Sequence, residues 1–341
     1  MKTLIIEKEK KNISKTDIKF IAVACCTCCR PDMLKMALAN IRDLELPQDI
    51  KVELLIIDND KNAFAKTVVE EFKKDFPIAI HYFVEETRGL ASARNRLLEE
   101  AIKLGVSHIA MFDDDGLLDK NWLGSHIKFY NNGSAHVIAG PQYTFFHGDF
   151  PNYITQNNIF KSGTTKPSGT KLKTCAANNV FFPVGIMTNS LIWFDKSYVF
   201  MGGEDGDFFN RVREAGYKIV FNPGAIAREI TDKKRANAAW IISRSYYNGY
   251  SGAFLRFKGA KNGKPSPKFL SSFLAKKFHP LPRGEGIYLV KTLIIFIIDC
   301  LLLPFSILAG RTLFFNTLGI TAKNLGKLAG CIKNRPINHY E

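Results

Sequence analysis

Four short apolar runs, separated by stretches with helical spacing, constrain this chain more than any other feature. Phe20–Cys26 is apolar throughout, Glu53–Ile57 and His108–Phe112 nearly so, and Ile78–Val84 completes the series. Runs of this length and character are strands buried on both faces. After the first, Arg30-Pro31-Asp32 opens a helix, with Pro31 in the first turn and Leu34, Ala37, Leu38 and Ile41 on one face. Ala63–Phe76 and Leu90–Leu104 read as two more helices, the second turning Leu97, Leu98, Ala101 and Leu104 inward. Strand and helix therefore alternate through residues 20–115, the pattern of a mostly parallel α/β sheet covered by helices on both faces.

Polar residues gather just past three of these strands: Thr27, Asp58–Asp60 and Asp113–Asp115. Ligands of open α/β sheets bind beyond the carboxyl ends of the strands, so these loops outline a nucleotide-type site. Asp113-Asp114-Asp115 suits a hard divalent cation whose remaining positions go to diphosphate oxygens, or else is an exposed acidic turn. Arg88-Gly89-Leu90-Ala91-Ser92-Ala93-Arg94-Asn95 opens a helix with a glycine and two arginines, a setting for phosphate. Further on, Met201-Gly-Gly-Glu-Asp-Gly-Asp-Phe-Phe209 packs three carboxylates into four residues. Like charges this close repel. They belong either to a site where something cationic or proton-donating docks, or to a helix N-terminus, where carboxylates favour the dipole.

The middle of the chain is less regular. Asp119–Tyr130 reads as helix, His136–Ala139 as a strand, and 144–174 as a long loop of the kind that is often functional. Asn179–Phe182 and Leu191–Phe194 read as short strands, Glu204–Ala215 as a helix with Phe208, Val212 and Ala215 inward, and Lys218–Phe221 and Ala225–Glu229 as strands. Near residue 233 the composition shifts. Residues 1–232 carry 29 basic and 29 acidic side chains; 233–341 carry 18 basic against three acidic, so the whole net charge of +15 lies in the last third. A neutral body with a basic appendage fits this better than a nucleic-acid-binding protein, and no nucleic-acid partner is expected.

The appendage contains a long helix, Ala236–Phe257, then a basic linker, Lys258–Pro282, then the strongly apolar stretch Ile287–Ala309. That stretch is long enough to cross a bilayer. However, Asp299 lies near its middle, at a cost on the order of 3 kcal/mol, and both flanks are basic, which would keep both in the cytoplasm. The expectation is a kinked, re-entrant or interfacial pair of helices meeting near Pro304 and resting on anionic head groups; the alternative is a core or dimer helix pair. The division expected is a polar lead-in at 1–17, the sheet domain at 18–232, helix and basic linker at 233–285, and a membrane-associated region at 286–341. The apolar run at the N-terminus is too short for a signal peptide. The cysteine-dense Cys25-Cys26-Thr27-Cys28-Cys29 fits a reduced setting, where free cysteine packs as a small hydrophobe, better than disulfides or zinc.

Five stretches, in this order, resemble the family 2 glycosyltransferases, inverting enzymes of the GT-A fold: Ala22–Pro31, Ile56-Ile57-Asp58-Asn59-Asp60, Gly89–Asn95, Phe112–Asp115 and Gly202–Phe209. The Gly-Gly-Glu-Asp form and the Trp240–Gly249 stretch look most like the succinoglycan-type exopolysaccharide enzymes. The resemblance implies a nucleotide-sugar donor with Thr27, Arg30, Asp58, Asn59, Arg94, Asp113 and Asp114 on the nucleotide side. It implies Mg²⁺ or Mn²⁺ at Asp115 and Asp113, Asp205 as general base, and Glu204 and Asp207 as tuning or acceptor-contact groups. Cys28 stands where the family usually has an aromatic residue. Glu229 stands near a position where many relatives have a metal-binding histidine, so it is a third candidate ligand, or else the partner of Arg228 or Arg235. The function this implies is transfer of one sugar from a donor such as a UDP-hexose to a saccharide acceptor in cell-surface polysaccharide synthesis; the apolar, basic C-terminal region adds the expectation that the acceptor is lipid-linked, at the cytoplasmic face of the inner membrane. A processive synthase would bring a Gln-x-x-Arg-Trp stretch and several membrane helices; a sugar nucleotidyltransferase would bring a glycine-rich loop after the first strand. Neither pattern is found. A non-catalytic basic membrane-binding protein with a degenerate body remains the other class.

Overall fold

The computed structural model describes residues 16–161, 166–198, 202–231, 233–261 and 285–333. Most of the lead-in, most of the basic linker, Met201 and the last residues lie outside them. A seven-stranded sheet forms the centre. It contains β1 (Phe20–Thr27), β2 (Lys51–Asp58), β3 (Ile80–Val84), β4 (His108–Phe112), β6 (Val137–Ala139), β8 (Asn179–Pro183) and β9 (Ile219–Phe221), in the order β3-β2-β1-β4-β8-β6-β9. β8 runs antiparallel to both its neighbours and every other pairing is parallel. The first strands obey the expectation that parallel strands are buried on both faces: Ile21, Val23, Leu54, Leu55, Ile56 and Ile57 are wholly inaccessible.

The two faces carry separate apolar layers. On one, α1 (Pro31–Arg42), α2 (Lys66–Lys73) and α4 (Trp122–Asn132) cover Ile21, Val23, Leu54 and Ile56. On the other, α3 (Leu90–Lys103), the short α6 (Gly185–Ser190) and α7 (Glu204–Glu214) cover Ala22, Ala24, Leu55 and Ile57. α1 has Pro31 in its first turn, Asp32 beside it and Arg42 in its last turn, each complementing the helix dipole, and it buries Leu34, Ala37, Leu38 and Ile41.

A second sheet, unforeseen in the sequence, sits at the carboxyl ends of the first. Its strands are β5 (Gly116–Leu118), β10 (Ala227–Thr231) and β7 (Gln142–Phe146), with β10 in the middle. The end of β7 and the whole of the short helix α5 (Asn152–Thr155) lie inside the stretch read as a loop. The opposite correction applies to Leu191–Phe194, which is not a strand. The Asn95 amide donates to the Phe194 carbonyl (2.9 Å) and accepts from its N–H (2.8 Å), and Leu191 sits at φ 53°. A chain clamped in this way has no ladder bonds to give.

Three long helices complete the molecule: α8 (Ala238–Lys261), α9 (Glu285–Leu308) and α10 (Arg311–Lys333). α9 and α10 form a hairpin, but the break lies at Gly310, at φ 105°, and not at Pro304, which is inside α9. Glycine adopts that left-handed angle without the Cβ clash.

Candidate active site

The acidic loop after β4 is the hub. Gly116 N–H donates back to the Asp113 carbonyl (2.8 Å), which turns the chain straight into β5. β5 pairs with β10 so that Gly116 faces Glu229, and Ile230 N–H donates to the Asp115 carbonyl (2.8 Å). The small sheet therefore brings Glu229 within electrostatic reach of Asp115 and Asp113. Of the three aspartates, Asp113 keeps 37% of its side chain accessible, whereas Asp114 and Asp115 are buried.

Each buried carboxylate has a cation or hydroxyl partner. Asp114 accepts from Thr27 Oγ1 (2.6 Å) and forms an ion pair with Arg30. Burial, with help from Asp115 and Asp113, still pushes it up to about 7. Asp115 Oδ2 takes two arginines, Arg30 Nη1 and Arg235 Nη1, each at 2.8 Å. Arg235 Nη1 also reaches Glu229 Oε1 at 3.1 Å. Arg228 instead pairs with Asp119, so of the two candidate partners of Glu229 only Arg235 takes that place. Glu229 is pushed up to about 7 by burial and by Asp115 and Asp113, with Arg235 and Arg244 opposing. Arg244 lies within the Trp240–Gly249 stretch but nothing there marks it as acting on Glu229, and Arg235 stands outside the motifs.

The stretch Gly202–Phe209 comes to the same place from the other side. Gly202 and Gly203 hold left-handed angles (φ 72° and 94°) and open α7, whose first turn carries Glu204, Asp205 and Asp207. Glu204 is buried against the equally buried Arg94 at 2.5 Å, and Arg94 lies 3.7 Å from Asp113. Arg94 thus ties the two acidic loops together from within. Asp207 is held by Arg211 (2.8 Å) and lies 3.3 Å from the Tyr198 hydroxyl. Among the described residues, Asp205 alone of the three makes no ion pair; its Oδ1 accepts only its neighbour Gly206 N–H at 2.7 Å. It is near enough to Asp113 and Glu204 to help burial raise both.

On the nucleotide side, Asn59 Nδ2 donates to the carbonyls of Glu85 and Thr87, and its Oδ1 accepts Gly89 N–H, all at 2.8 Å, which ties the β3–α3 connection to β2. Asp58 Oδ2 accepts from the Tyr82 hydroxyl (2.7 Å) and Ala65 N–H (3.1 Å). Its Oδ1 is buried with no partner among the described residues, and burial raises its pKa. Cys28 donates to the Asn59 carbonyl and Cys29 to Asp60, and no disulfide forms among the described residues.

Among the described residues, no three His, Cys, Asp or Glu side chains gather closely enough to enclose an ion. A different arrangement does fit Mg²⁺ or Mn²⁺. Asp113, partly accessible, and Asp115, buried and held by Arg30 and Arg235, could supply two hard oxygens, and such ions take one or two carboxylates and complete their shell with substrate phosphates and water. The concentration of carboxylates, held now by Arg30 and Arg235, is a second sign that this cleft favours positive charge.

Residues 21–191, half of the chain, match the model of the family described as Glycosyl transferase family 2. The chain is a family 2 glycosyltransferase. Its GT-A fold accounts for the mostly parallel sheet. The succinoglycan biosynthesis protein ExoM of Rhizobium meliloti (strain 1021) is 24% identical over 229 residues, covering 67% of this chain and 72% of the relative. A mannosyltransferase of Pyrobaculum calidifontis, solved in complex with GDP-Man and Mn²⁺, superposes with a TM-score of 0.52 at 18% identity. The superposition covers 72% of this chain and 65% of the mannosyltransferase, just under two thirds of that chain. The Gly202–Phe209 stretch lies beyond the end of the family match.

Proposed function

We propose that this glycosyltransferase moves a single sugar from a nucleotide-sugar donor, of the UDP-hexose class, onto a saccharide acceptor with inversion, and that Asp205 is the general base. The observation that carries this reading is the division of labour in the first turn of α7. Glu204 and Asp207 are each held by an arginine, and Asp205 is left without a cation partner at the entrance. An acceptor hydroxyl is a poor nucleophile until a base takes its proton in the transition state. Asp205 takes that proton, the hydroxyl oxygen bonds to the anomeric carbon, and UDP leaves from the opposite face with the bonding electrons, which inverts the centre. Glu204, through Arg94, and Asp207, through Arg211, position the turn that carries Asp205.

The donor lies over the strand ends. The unpartnered Asp58 Oδ1 is an acceptor for an N–H of the base, and Thr27 and Asn59 shape the same wall. Asp113 and Asp115 would hold the divalent cation, which supplies positive charge against the developing diphosphate. Arg30 and Arg235, with Glu229 and Asp114 behind them, add fixed charge at that end of the cleft. The likeness to a succinoglycan biosynthesis protein supports a role in exopolysaccharide synthesis, and the apolar helix α9 supports a lipid-linked acceptor met at a membrane surface.

A donor panel with the purified full chain tests this reading. Nucleotide release is followed in Mn²⁺ and in chelator, and products formed on membrane extract are identified by mass. One donor is expected to give metal-dependent turnover and a product heavier by one sugar. Absence of metal-dependent turnover across UDP- and GDP-sugars would overturn it.

A further inference from the structure

Helix α9 is built inside out. Tyr288–Leu308 is a 21-residue stretch of mean hydropathy 2.2, yet only 11% of it is buried in the protein. Beyond Tyr288 and Leu289 at its start, its less accessible positions, Thr292, Phe296, Asp299, Leu303 and Ser306, are spaced four, three, four and three residues apart. That is a single seam of the coiled-coil kind, and it faces α10: Asp299 Oδ2 accepts from Asn324 Nδ2 at 2.6 Å. The polar members of the seam are thus turned toward the protein, with Thr292 and Ser306 also bonded to carbonyls of their own helix. Outside the seam the helix shows Leu293, Ile294, Ile298, Leu301, Phe305 and Leu308, each 46–87% accessible. A protein partner covers one stripe of a helix. Apart from Lys291 near its start, α9 is apolar on every side but one, which suits a surrounding fluid of the same character.

The packing decides how that helix meets the fluid. α8 lies along the catalytic body for most of its length: Trp240 stacks on Phe160, Phe254 packs on Tyr198, and Leu255 abuts Gly203 and Gly206 of α7. α10 lies along α8 so closely that a Cβ on Gly249 would stand 1.9 Å from the Lys323 carbonyl, and one on Gly326 1.9 Å from that of Tyr246. At its start, Asn316 accepts from Asn158 N–H (2.7 Å) and Phe315 stacks on Tyr153. α9 is fixed at its own start as well, where Arg256 stands over the Tyr288 ring at 4.3 Å. A helix crossing the bilayer would carry Gly310 and the start of α10 to the far side, about 30 Å from the catalytic body. The structure instead holds both ends of α9 against that body.

We infer that the α9–α10 hairpin is a monotopic anchor: α9 lies in one leaflet of an anionic bilayer, parallel to its plane, with Asp299 and the basic residues on the water side. The excess of 15 positive charges in residues 233–341 gives the complementary attraction. This rests on the proposed membrane-linked acceptor only for its purpose. The layering α9, α10, α8, α7 then holds the turn bearing Asp205 on the membrane-facing flank of the body, where a lipid-linked saccharide arrives.

The test uses the full chain with sealed vesicles of phosphatidylcholine and phosphatidylglycerol. The wild type is expected to bind, more weakly in high salt, and Leu301→Asp/Phe305→Asp to lose at least about tenfold in affinity while nucleotide release in solution is unchanged. An Arg311→Cys variant, treated outside the vesicles with an impermeant maleimide and read by peptide mass, is expected to label at 311 while Cys300 is protected. Protection of residue 311 would mean that α9 spans, and the inference fails. Failure of the wild type to bind vesicles overturns it too, as does a solution dimer that Leu301→Asp/Phe305→Asp dissociates with no change in vesicle binding. A protein that binds as expected but shows no turnover leaves this inference standing and removes the proposed function instead.

Discussion

The sheet domain and helix α9 bury opposite kinds of residue. In the domain, Ile21, Leu55 and Phe208 fill the interior, and the charges that go inside, such as Arg94 and Glu204, do so in pairs. In α9 Asp299 and the hydroxyls of Thr292 and Ser306 face the protein, and, Lys291 near its start apart, the surface turned outward is mostly leucine and isoleucine. The same hydrophobic effect acts on both, so the difference reports the medium. The domain is folded against water, and α9 is patterned for a surface already apolar. The charge count divides the chain at nearly the same place, with a neutral body before residue 233 and all the positive excess after it.

The contrast can be broken most forcefully at the buried pair. Arg94→Leu strands Glu204 without its cation and is expected to cost about 3–5 kcal/mol in denaturant unfolding, whereas Arg94→Leu/Glu204→Leu recovers most of that loss. Next comes His126, which is buried against Asn179 and held down to about 4 by burial. Its folded pKa lies below the unfolded value, so the unfolded chain takes up the proton first. Stability is therefore complete above about pH 6.5 and falls on the order of 2–3 kcal/mol as pH drops toward 4. His126→Phe, which keeps the stacking on Phe181, should flatten that part of the acid limb in pH-dependent unfolding. Gly326→Ala forces α10 away from Tyr246 and is expected to cost about 1–3 kcal/mol by thermal unfolding. The smallest effect sharpens the contrast best. In detergent-free solution Leu301→Ala should change stability by less than about 0.5 kcal/mol, against about 2–5 kcal/mol for Leu55→Ala.

The elements legible in the sequence were those whose partners are close in the chain or whose pattern is unbroken. β1 holds a continuous apolar run, β2 and β4 nearly continuous ones, and α1 announces itself with Pro31 and a clean face. What could not be read depends on distant partners. Phe194 is kept out of a strand by Asn95, 99 residues earlier in the chain, and the small sheet rests on a three-residue strand, Gly116–Leu118. At the site, the order of the acidic motifs located the cleft. The pairing of Glu204 with Arg94 and of Asp115 with Arg235 spans 110 and 120 residues, and so stayed hidden. The Gly310 hinge was missed because Pro304 is the stronger local breaker, yet Pro304 sits within the continuous helix α9 and only Gly310 adopts the left-handed angle the reversal needs.

Asp205, left without an ion pair by its paired neighbours, is the proposed acceptor of the proton. Asp205→Asn preserves shape and hydrogen bonding and removes the basic oxygen. Transfer to the true acceptor should fall by about 10²–10⁴-fold, with UDP affinity in Mn²⁺ unchanged by calorimetry. Near-wild-type turnover in that variant would contradict the account.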